Sequence, residues 1–444
     1  MHSAFKLHDE NGTFLRGQLE GLQGTRHFRD LAIVDIVIID EVSMLQADAL
    51  RGIDQALNYV LTRGTTQRGL MAFGRKSMLV VGDLHQLPSI EKYGFTSQQI
   101  YDSTLWSEFK FLELTQVVRT DAAEARFAEL LLRARRGWQH LNDEDWQLLE
   151  SRVCANHCAA CESFTDVMRV RPPGGTRRDE VAVPQVVRHC PIACTAAGGH
   201  ASATCVLAAR RAKVDELNAR YGRRAAPVGA QPCAVQAVDT DVDSGRPVRS
   251  AQVRERISSK LAGLAMEAEY YVGQLVVITV NRRRQHAGYV NSALAEIVEL
   301  APALPHAPTE IVVRLLDEPA NAPLLRVRRV EARASVFGTE CTRLMFPLLP
   351  AFSMTIHRVQ GATMEGDVHI LLNAEVFADG MAYVAISRVR RLSQLHLWCL
   401  HREAIKANPI IDAEYERLAR MRLDVDAVAA APHRQRVRHL LPLA

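Results

Sequence analysis

No stretch of the 444 residues approaches the roughly 20 consecutive apolar residues a helix needs to cross a bilayer, so a helical membrane span is not expected. The opening residues lack the charged-then-apolar pattern of a secretory leader, and the expected setting is intracellular. Cysteine is sparse: nine residues, odd in number and widely scattered, make no disulfide framework. Cys154, Cys158 and Cys161, with His157 between them and Cys190 and Cys194 further on, only loosely approach the paired spacing of a structural zinc site. Scattered thiols in a reducing compartment are the preferred reading. An excess of one charge is also missing. With 54 Lys and Arg against 50 Asp and Glu, the formal charge is +4, which permits a polyanionic partner without demonstrating one.

What is present is an ordinary globular composition, 48% apolar and 23% charged, long enough for two or three domains. The basic residues gather in short groups: ARRG at 134–137, NRRR at 281–284, SRVRR at 387–391 and HRQRVRH at 433–439. Each suits either phosphate contact or a solvated face.

The first hundred residues read as α/β. DIVIIDEV at 35–42 and SMLVVGD at 77–83 are continuous apolar runs of the kind found in parallel strands covered on both faces. The intervening ADALRGIDQALNYVLTRG has apolar residues at helical spacing and ends at glycine, as a crossover helix does. Residues 121–152 are helical in pattern, and the Pro, Gly and Arg stretch within 160–188 reads as a loop or linker. A strand and amphipathic helix follow in TCVLAARRAKVDELNARY. VGQLVVITV and EIVVRLLDE open an alternating, β-rich region between 272 and 340, and DVHILLN, DGMAYVAISRVRR and QLHLWCL restore the parallel pattern.

Ligands of parallel sheets gather beyond the carboxyl ends of the strands, where Asp40, Glu41 and Asp83 fall. Hydrolysis of a nucleoside triphosphate needs a metal held by a carboxylate, a base to orient water, and positive charge for the leaving phosphate. Asp40 suits magnesium held through water and Glu41 a general base. Asp83 and Gln86 follow the neighbouring strand, where Gln86 is placed to touch the terminal phosphate or the attacking water. A strand end with a helix cap, and a polar loop closed by Pro88, are the alternatives without a nucleotide. No glycine-rich turn leading through lysine into a helix precedes the carboxylate strand. GLMAFGRKS at 69–77 has the wrong spacing and leads into a strand, so Lys76 and Ser77 are not assigned to phosphate or metal.

Taken together, these segments resemble the Pif family of DNA helicases in the RecD-like branch. MHSAFKL resembles the family's His-Ser segment, IIDEVSM its magnesium-carboxylate motif, and AFGRKSMLVVGDLHQLPSI its sensor motif, with Ser89 in place of a proline. FLELTQVVRT is similar to the first motif of the second motor domain, FAELLLRARRG to the helix ending in Arg-x-Gly, and AARRAKVDELNARY to the Val-Asp-x-x-Asn segment. FPLLPAFSMTIHRVQGATMEG matches the Thr-Ile-His-Lys, Gln-Gly-x-Thr element with Arg358 for lysine, and MAYVAISRVRRLSQLHL the closing motor motif. The resemblance implies that Arg119 and Arg388 reach the phosphate, that Gly361 lies at the nucleotide, and that His357, Gln360 and Thr363 couple nucleotide state to DNA.

It further implies ATP as substrate, Mg2+ as cofactor, single-stranded and forked DNA as partners, and a monomer. The expected activity is 5′-to-3′ translocation and duplex unwinding in DNA repair, recombination or telomere maintenance, within a nucleus or mitochondrion if the source is eukaryotic. The expected fold is α/β: tandem RecA-like motor domains, the first incomplete, with a small SH3-like β insertion in the second. The divisions are 1–112 for the first domain; 113–281 with 341–405 for the second; 282–340 for the insertion; and 406–444 for a C-terminal helix and basic tail. In the family the phosphate loop lies upstream of MHSAFKL, so this sequence is expected to start after it, and the chain alone is expected to lack tight ATP binding and normal turnover. A nucleic-acid-binding remnant or scaffold with the helicase fold is the alternative. Ser292 and Ala293 stand in the family's glycine-rich turn, which predicts an altered turn there.

Overall fold

The structure, a computed structural model, describes residues 26–62, 71–89, 98–121, 123–153, 205–221, 229–261, 263–281, 291–302, 307–316, 318–319, 321–364 and 366–424. The MHSAFKL segment, the candidate zinc cysteines, the 160–188 linker, Arg282 to Arg284 and the basic tail lie outside them.

The chain begins with α1 (Arg26–Ile33), β1 (Ile36–Ile39), α2 (Ala47–Leu61) and β2 (Ser77–Val80). The two strands run parallel, Ile36 beside Ser77 through Ile39 beside Val80, as a crossover helix between two apolar runs requires. Gly64, the expected helix stop, is outside the described residues; Thr62 closes α2 by donating its amide and hydroxyl to the Asn58 carbonyl, each at 3.0 Å. Val37 and Ile39 join Leu50, Ile53, Leu57, Phe73 and Trp106 in one core. The expectation that both strand faces are covered is corrected here. Ile36 is 58% and Ile38 65% exposed, because a strand's alternate residues point to opposite faces and only one face packs on α2 among the described residues.

The second unit starts with α3 (Ala125–Ala134), α4 (Asp143–Glu150), β3 (Cys205–Ala208) and α5 (Arg211–Tyr221). α4 opens on a reciprocal capping box, Asn142 accepting from the Asp145 amide and Asp145 from the Asn142 amide.

Next comes a run of antiparallel strands: β4 (Cys233–Gln236), β5 (Val238–Asp241), then α6 (Ala251–Lys260), β6 (Glu267–Tyr270), β7 (Leu275–Ile278), β8 (Leu294–Ala301), β9 (Glu310–Leu315), β10 (Leu325–Arg328), β11 (Val330–Val336), β12 (Thr339–Met345) and β13 (Leu348–Pro350). They form a five-stranded sheet in the order β10-β9-β8-β7-β13, a three-stranded sheet β11-β12-β5, and the pair β4-β6. This β-rich part therefore reaches well beyond 282–340 on both sides. Within the three-stranded sheet, fully buried Arg343 of β12 makes a two-pronged ion pair to its cross-strand partner Asp239 of β5 at 2.7 and 2.8 Å. Ser292 takes a left-handed φ of 74° in the turn before β8, a conformation that a residue with a side chain adopts only at a conformational cost.

The chain then returns to the second unit with β14 (Ser353–Thr355), β15 (Val368–Leu372), α7 (Met381–Ile386) and β16 (Leu395–Leu400), and ends its described part in α8 (Ile410–Ala419). The parallel sheet β14-β3-β15-β16 is buried along β3, β15 and β16 at every position, matching the continuous apolar runs in the sequence. Its core, which includes Phe127, Leu207, Ile370, Met381 and Leu397, also takes Leu87 from the loop after β2. In exchange, Ile411 and Leu418 of α8 enter the first unit's core. Each unit thus buries side chains supplied from the other's part of the chain.

Candidate nucleotide and nucleic-acid site

The loops after β1 and β2 are tied together before they reach the second unit: the Val81 amide donates to the Ile39 carbonyl at 2.8 Å and the Val42 amide to the Val81 carbonyl at 3.0 Å. At the end of β1, Asp40 Oδ1 accepts the Glu41 amide at 2.8 Å. Glu41 is left-handed, φ 55° and ψ 52°, an uncommon state for a residue with a side chain. Across the seam, Gln360 Nε2 donates to Glu41 Oε2 at 2.8 Å. Gly361 makes the approach possible: a Cβ there would lie 3.0 Å from Glu41 Oε1, on a backbone with φ 80°.

Behind this contact stand the two arginines. Arg119 donates from Nε to Thr363 Oγ1 at 3.2 Å and from Nη1 to the Ser387 carbonyl at 3.3 Å. Arg388 is 1% exposed and spends Nε on the Val384 carbonyl (2.7 Å), Nη1 on the Ala362 carbonyl (3.1 Å) and Nη2 on Ser387 Oγ (2.8 Å). Burial, then the like charge of Arg119, push its pKa down to about 10, with Tyr383, Glu41 and Asp83 pulling the other way. It remains a guanidinium at neutral pH. Glu41, Gln360, Gly361, Arg119, Thr363 and Arg388 are thus brought together from three separate parts of the chain, Glu41 and Gln360 being 319 residues apart.

Asp83 has a different setting. Its Oδ1 accepts from the His85 amide, Arg135 Nη2 and the Tyr415 hydroxyl, each at 3.0 Å, and its Oδ2 from the Tyr383 hydroxyl at 3.2 Å. Its carboxylate fastens the first unit to α3's end, α7 and α8. Gln86, three residues on, has a buried Oε1 without a hydrogen-bond partner, and Gln360 Oε1 on the opposite side is in the same condition. An unmet buried acceptor costs about 1–3 kcal/mol, so both amides are suited to a donor such as a water between the units. Gly380 presses on this loop: a Cβ would sit 2.2 Å from the His85 carbonyl oxygen.

His85, stacked on Tyr415 at 5.3 Å, faces Arg135, Asp83, Asp412 and Arg136. Burial first, then Arg135, pushes its pKa down to about 4.

His357 lies apart from the carboxylates. Its ring stacks on Phe377 at 5.8 Å and 20°, burial lowers its pKa, and the Arg210 guanidinium stands 5.4 Å from the Phe377 centroid. Adjacent Arg358 has a buried Nη1 with no hydrogen-bond partner, and burial followed by Arg211 lowers its pKa. Half-exposed Phe377, with the Arg210 guanidinium over its ring, has the composition of a surface for stacked bases and phosphates.

The other basic groups serve the fold where they are described: Arg135 pairs with Asp83, Arg136 with Asp412, and Arg391 with Asp121. Lys76, excluded from phosphate binding above, donates to the Ala32 carbonyl at 2.8 Å. Tyr383, Tyr415 and Gly380 were missed by sequence reasoning. Tyr383 sits within a recognised motif, while nothing local in the sequence marks Tyr415.

The described residues hold no cluster of three or more His, Cys, Asp or Glu side chains that would hold a metal by themselves. Asp40, exposed and with only Oδ1 engaged, fits a hydrated magnesium ion bound through one carboxylate and substrate phosphates. No described helix is long and apolar enough to cross a membrane.

Residues 1–145 match the model of the PIF1-like helicase family. Over 387 residues, 87% of this chain and 50% of the relative, the sequence is 26% identical to the ATP-dependent DNA helicase PIF1 of Danio rerio. The chain therefore spans about half the length of the curated relatives it matches. Among solved structures, the Pif1 helicase of Candida albicans superposes with a TM-score of 0.64 at 19% identity, covering 94% of this chain and 84% of that one. Bacteroides Pif1 bound to ssDNA gives 0.62 at 19% identity, covering 94% and 82%. The chain has the α/β fold of the Pif1-like helicases, and that family is the one its first 145 residues match.

Proposed function

We propose that this chain is the motor part of a Pif-type DNA helicase, in which ATP hydrolysis between two RecA-like units drives 5′-to-3′ movement along single-stranded DNA and splits a duplex or fork. The supporting observation is the Glu41–Gln360 hydrogen bond across the seam, with Arg119 and Arg388 behind it. A general base on one unit and arginines on the other can form one site only when the units close.

Glu41 takes the proton from the attacking water, and its left-handed backbone aims the carboxylate at the second unit. Asp40 would hold Mg2+ through water, and the ion would screen the phosphate charge when bound. Gln86, with its unpartnered amide oxygen, orients the water or reads the terminal phosphate. Arg119 supplies positive charge. Arg388 does so after shifting from its present setting, since it is 1% exposed and three of its five N–H groups are held by partners within the second unit. Gln360 is the joint: it contacts Glu41, and three residues earlier His357 belongs to the basic and aromatic surface that would meet DNA. The antiparallel strands around 282–340 are the SH3-like insertion beside the DNA path.

The second reading, a nucleic-acid-binding protein without turnover, is favoured by those same Arg388 bonds. The two separate in an unwinding assay on duplexes carrying a single-stranded 5′ or 3′ tail. ATP-dependent opening of the 5′-tailed substrate is expected. Salt-sensitive binding without opening of either substrate favours the second reading.

A further inference from the structure

The C-terminal helix does not pack with the sheet it follows. The Ile405 and Lys406 carbonyls still accept from Trp138 and Gly380 of the second unit, at 2.6 and 2.9 Å. A few residues later the chain is fastened to the first unit. Ile411 and Leu418 are buried with Leu50, Phe73 and Trp106, Trp106 Nε1 donates to Glu414 Oε1 at 2.7 Å, and Phe111 accepts from the Leu423 amide at 2.8 Å and donates to the Met421 carbonyl at 3.1 Å.

Tyr415 stands in the middle of this helix. Its hydroxyl accepts the Leu84 amide at 2.9 Å and donates to Asp83 Oδ1 at 3.0 Å. A phenol has one proton to give and lone pairs to receive, so one oxygen fixes both the backbone and the carboxylate of the loop that carries Gln86. The ring stacks on His85, and the Arg135 guanidinium lies 5.5 Å from its centroid. Asp412, on the same helix, pairs with His85 at 3.4 Å and Arg136 at 3.1 Å. Burial and the Asp83 carboxylate hold the Tyr415 phenol above its usual range, which keeps the donated proton in place.

We propose that Tyr415 is a positioning residue, through which the C-terminal helix seats the 83–86 loop and couples the nucleotide site to the fastening of the two units. This rests on the reading of the seam as an ATP site. The loop cannot move to follow a phosphate without breaking the Leu84 and Asp83 bonds to Tyr415. Any change in nucleotide state that shifts the loop therefore loosens the helix, and by linkage a loosened helix changes the response to nucleotide.

The test compares the full chain with its Tyr415→Phe variant, which keeps the ring and removes one oxygen. Two measurements are made on each: amide hydrogen exchange, and ATP hydrolysis with single-stranded DNA and Mg2+. Exchange at Leu84 to Gln86 is expected to rise about tenfold, the size of one lost hydrogen bond, with α3 and α7 unchanged. The kcat should fall about tenfold with KM for ATP unchanged, because a misplaced Gln86 affects the attack rather than the binding. Unchanged Leu84 exchange, or unchanged kcat in an active wild-type chain, overturns this proposal alone. A uniform rise in exchange throughout the molecule also overturns it, since that is the mark of a merely structural contact. A wild-type chain that hydrolyses no ATP contradicts the nucleotide reading and removes the coupling with it.

Discussion

Glu41, Arg388 and His85 each occupy a state that costs free energy, and in each case the surroundings show what maintains it. The left-handed Glu41 costs on the order of 1–3 kcal/mol and is held by the Gln360 bond and the two strand-end hydrogen bonds beside it. Arg388 is buried with its donors divided among three acceptors that a lysine cannot reach together. Arg388→Lys should therefore destabilise the protein by about 2–4 kcal/mol, read from urea midpoints; a midpoint equal to wild type contradicts the assignment. His85 gives a pH dependence with a definite sign. Its folded pKa, about 4, lies below the unfolded value of 6.5, so the unfolded chain binds the extra proton between these limits. The stability it contributes is complete above pH 6.5 and is lost as pH falls toward 4. Unfolding midpoints at pH 7.5 and 5 should show a decrease that shrinks when His85 is replaced by Gln.

At the scale of elements, the parallel strands and their helices follow from the chain's own pattern. β3, β15 and β16 are continuous apolar runs and are buried throughout, and the crossover helix between β1 and β2 was visible in its periodicity. The exposed face of β1 was not visible, because what covers a strand depends on distant chain rather than on the strand's own residues. β4 and β5 were missed because each is only four residues long, and β5 is interrupted by Asp239 and Asp241. The family resemblance pointed to Glu41, Gln360, Arg119 and Arg388, but their meeting is a property of the packed units. The role of α8 depends on contacts with residues 300 positions earlier, for which its amphipathic sequence contains no address. Gly380 shows how close those contacts are. Gly380→Ala places a Cβ 2.2 Å from the His85 carbonyl oxygen on a φ of 73°, and should lower stability by at least about 2 kcal/mol. A melting temperature within a degree of wild type would count against the close packing of α7 on the 83–86 loop.

The whole molecule is two α/β cores with a polar seam between them, an antiparallel β part set into the second, and a terminal helix that crosses back to the first. Such an arrangement can be both joined and mobile. The apolar insertions of Leu87, Ile411 and Leu418 hold the units together, while the seam is lined with hydrogen bonds and charges that can exchange partners. In the proposed cycle, closure brings Arg119, Arg388 and Gln360 around the phosphate next to Glu41, and the same Gln360 segment carries the change to the His357 and Phe377 surface. The most direct test is ATP hydrolysis by the full chain with and without single-stranded DNA, beside the Glu41→Gln variant. Turnover that requires DNA and drops by about 10²-fold or more in the variant is predicted. Turnover that persists in Glu41→Gln, or a folded chain that binds DNA and hydrolyses no ATP, contradicts the account.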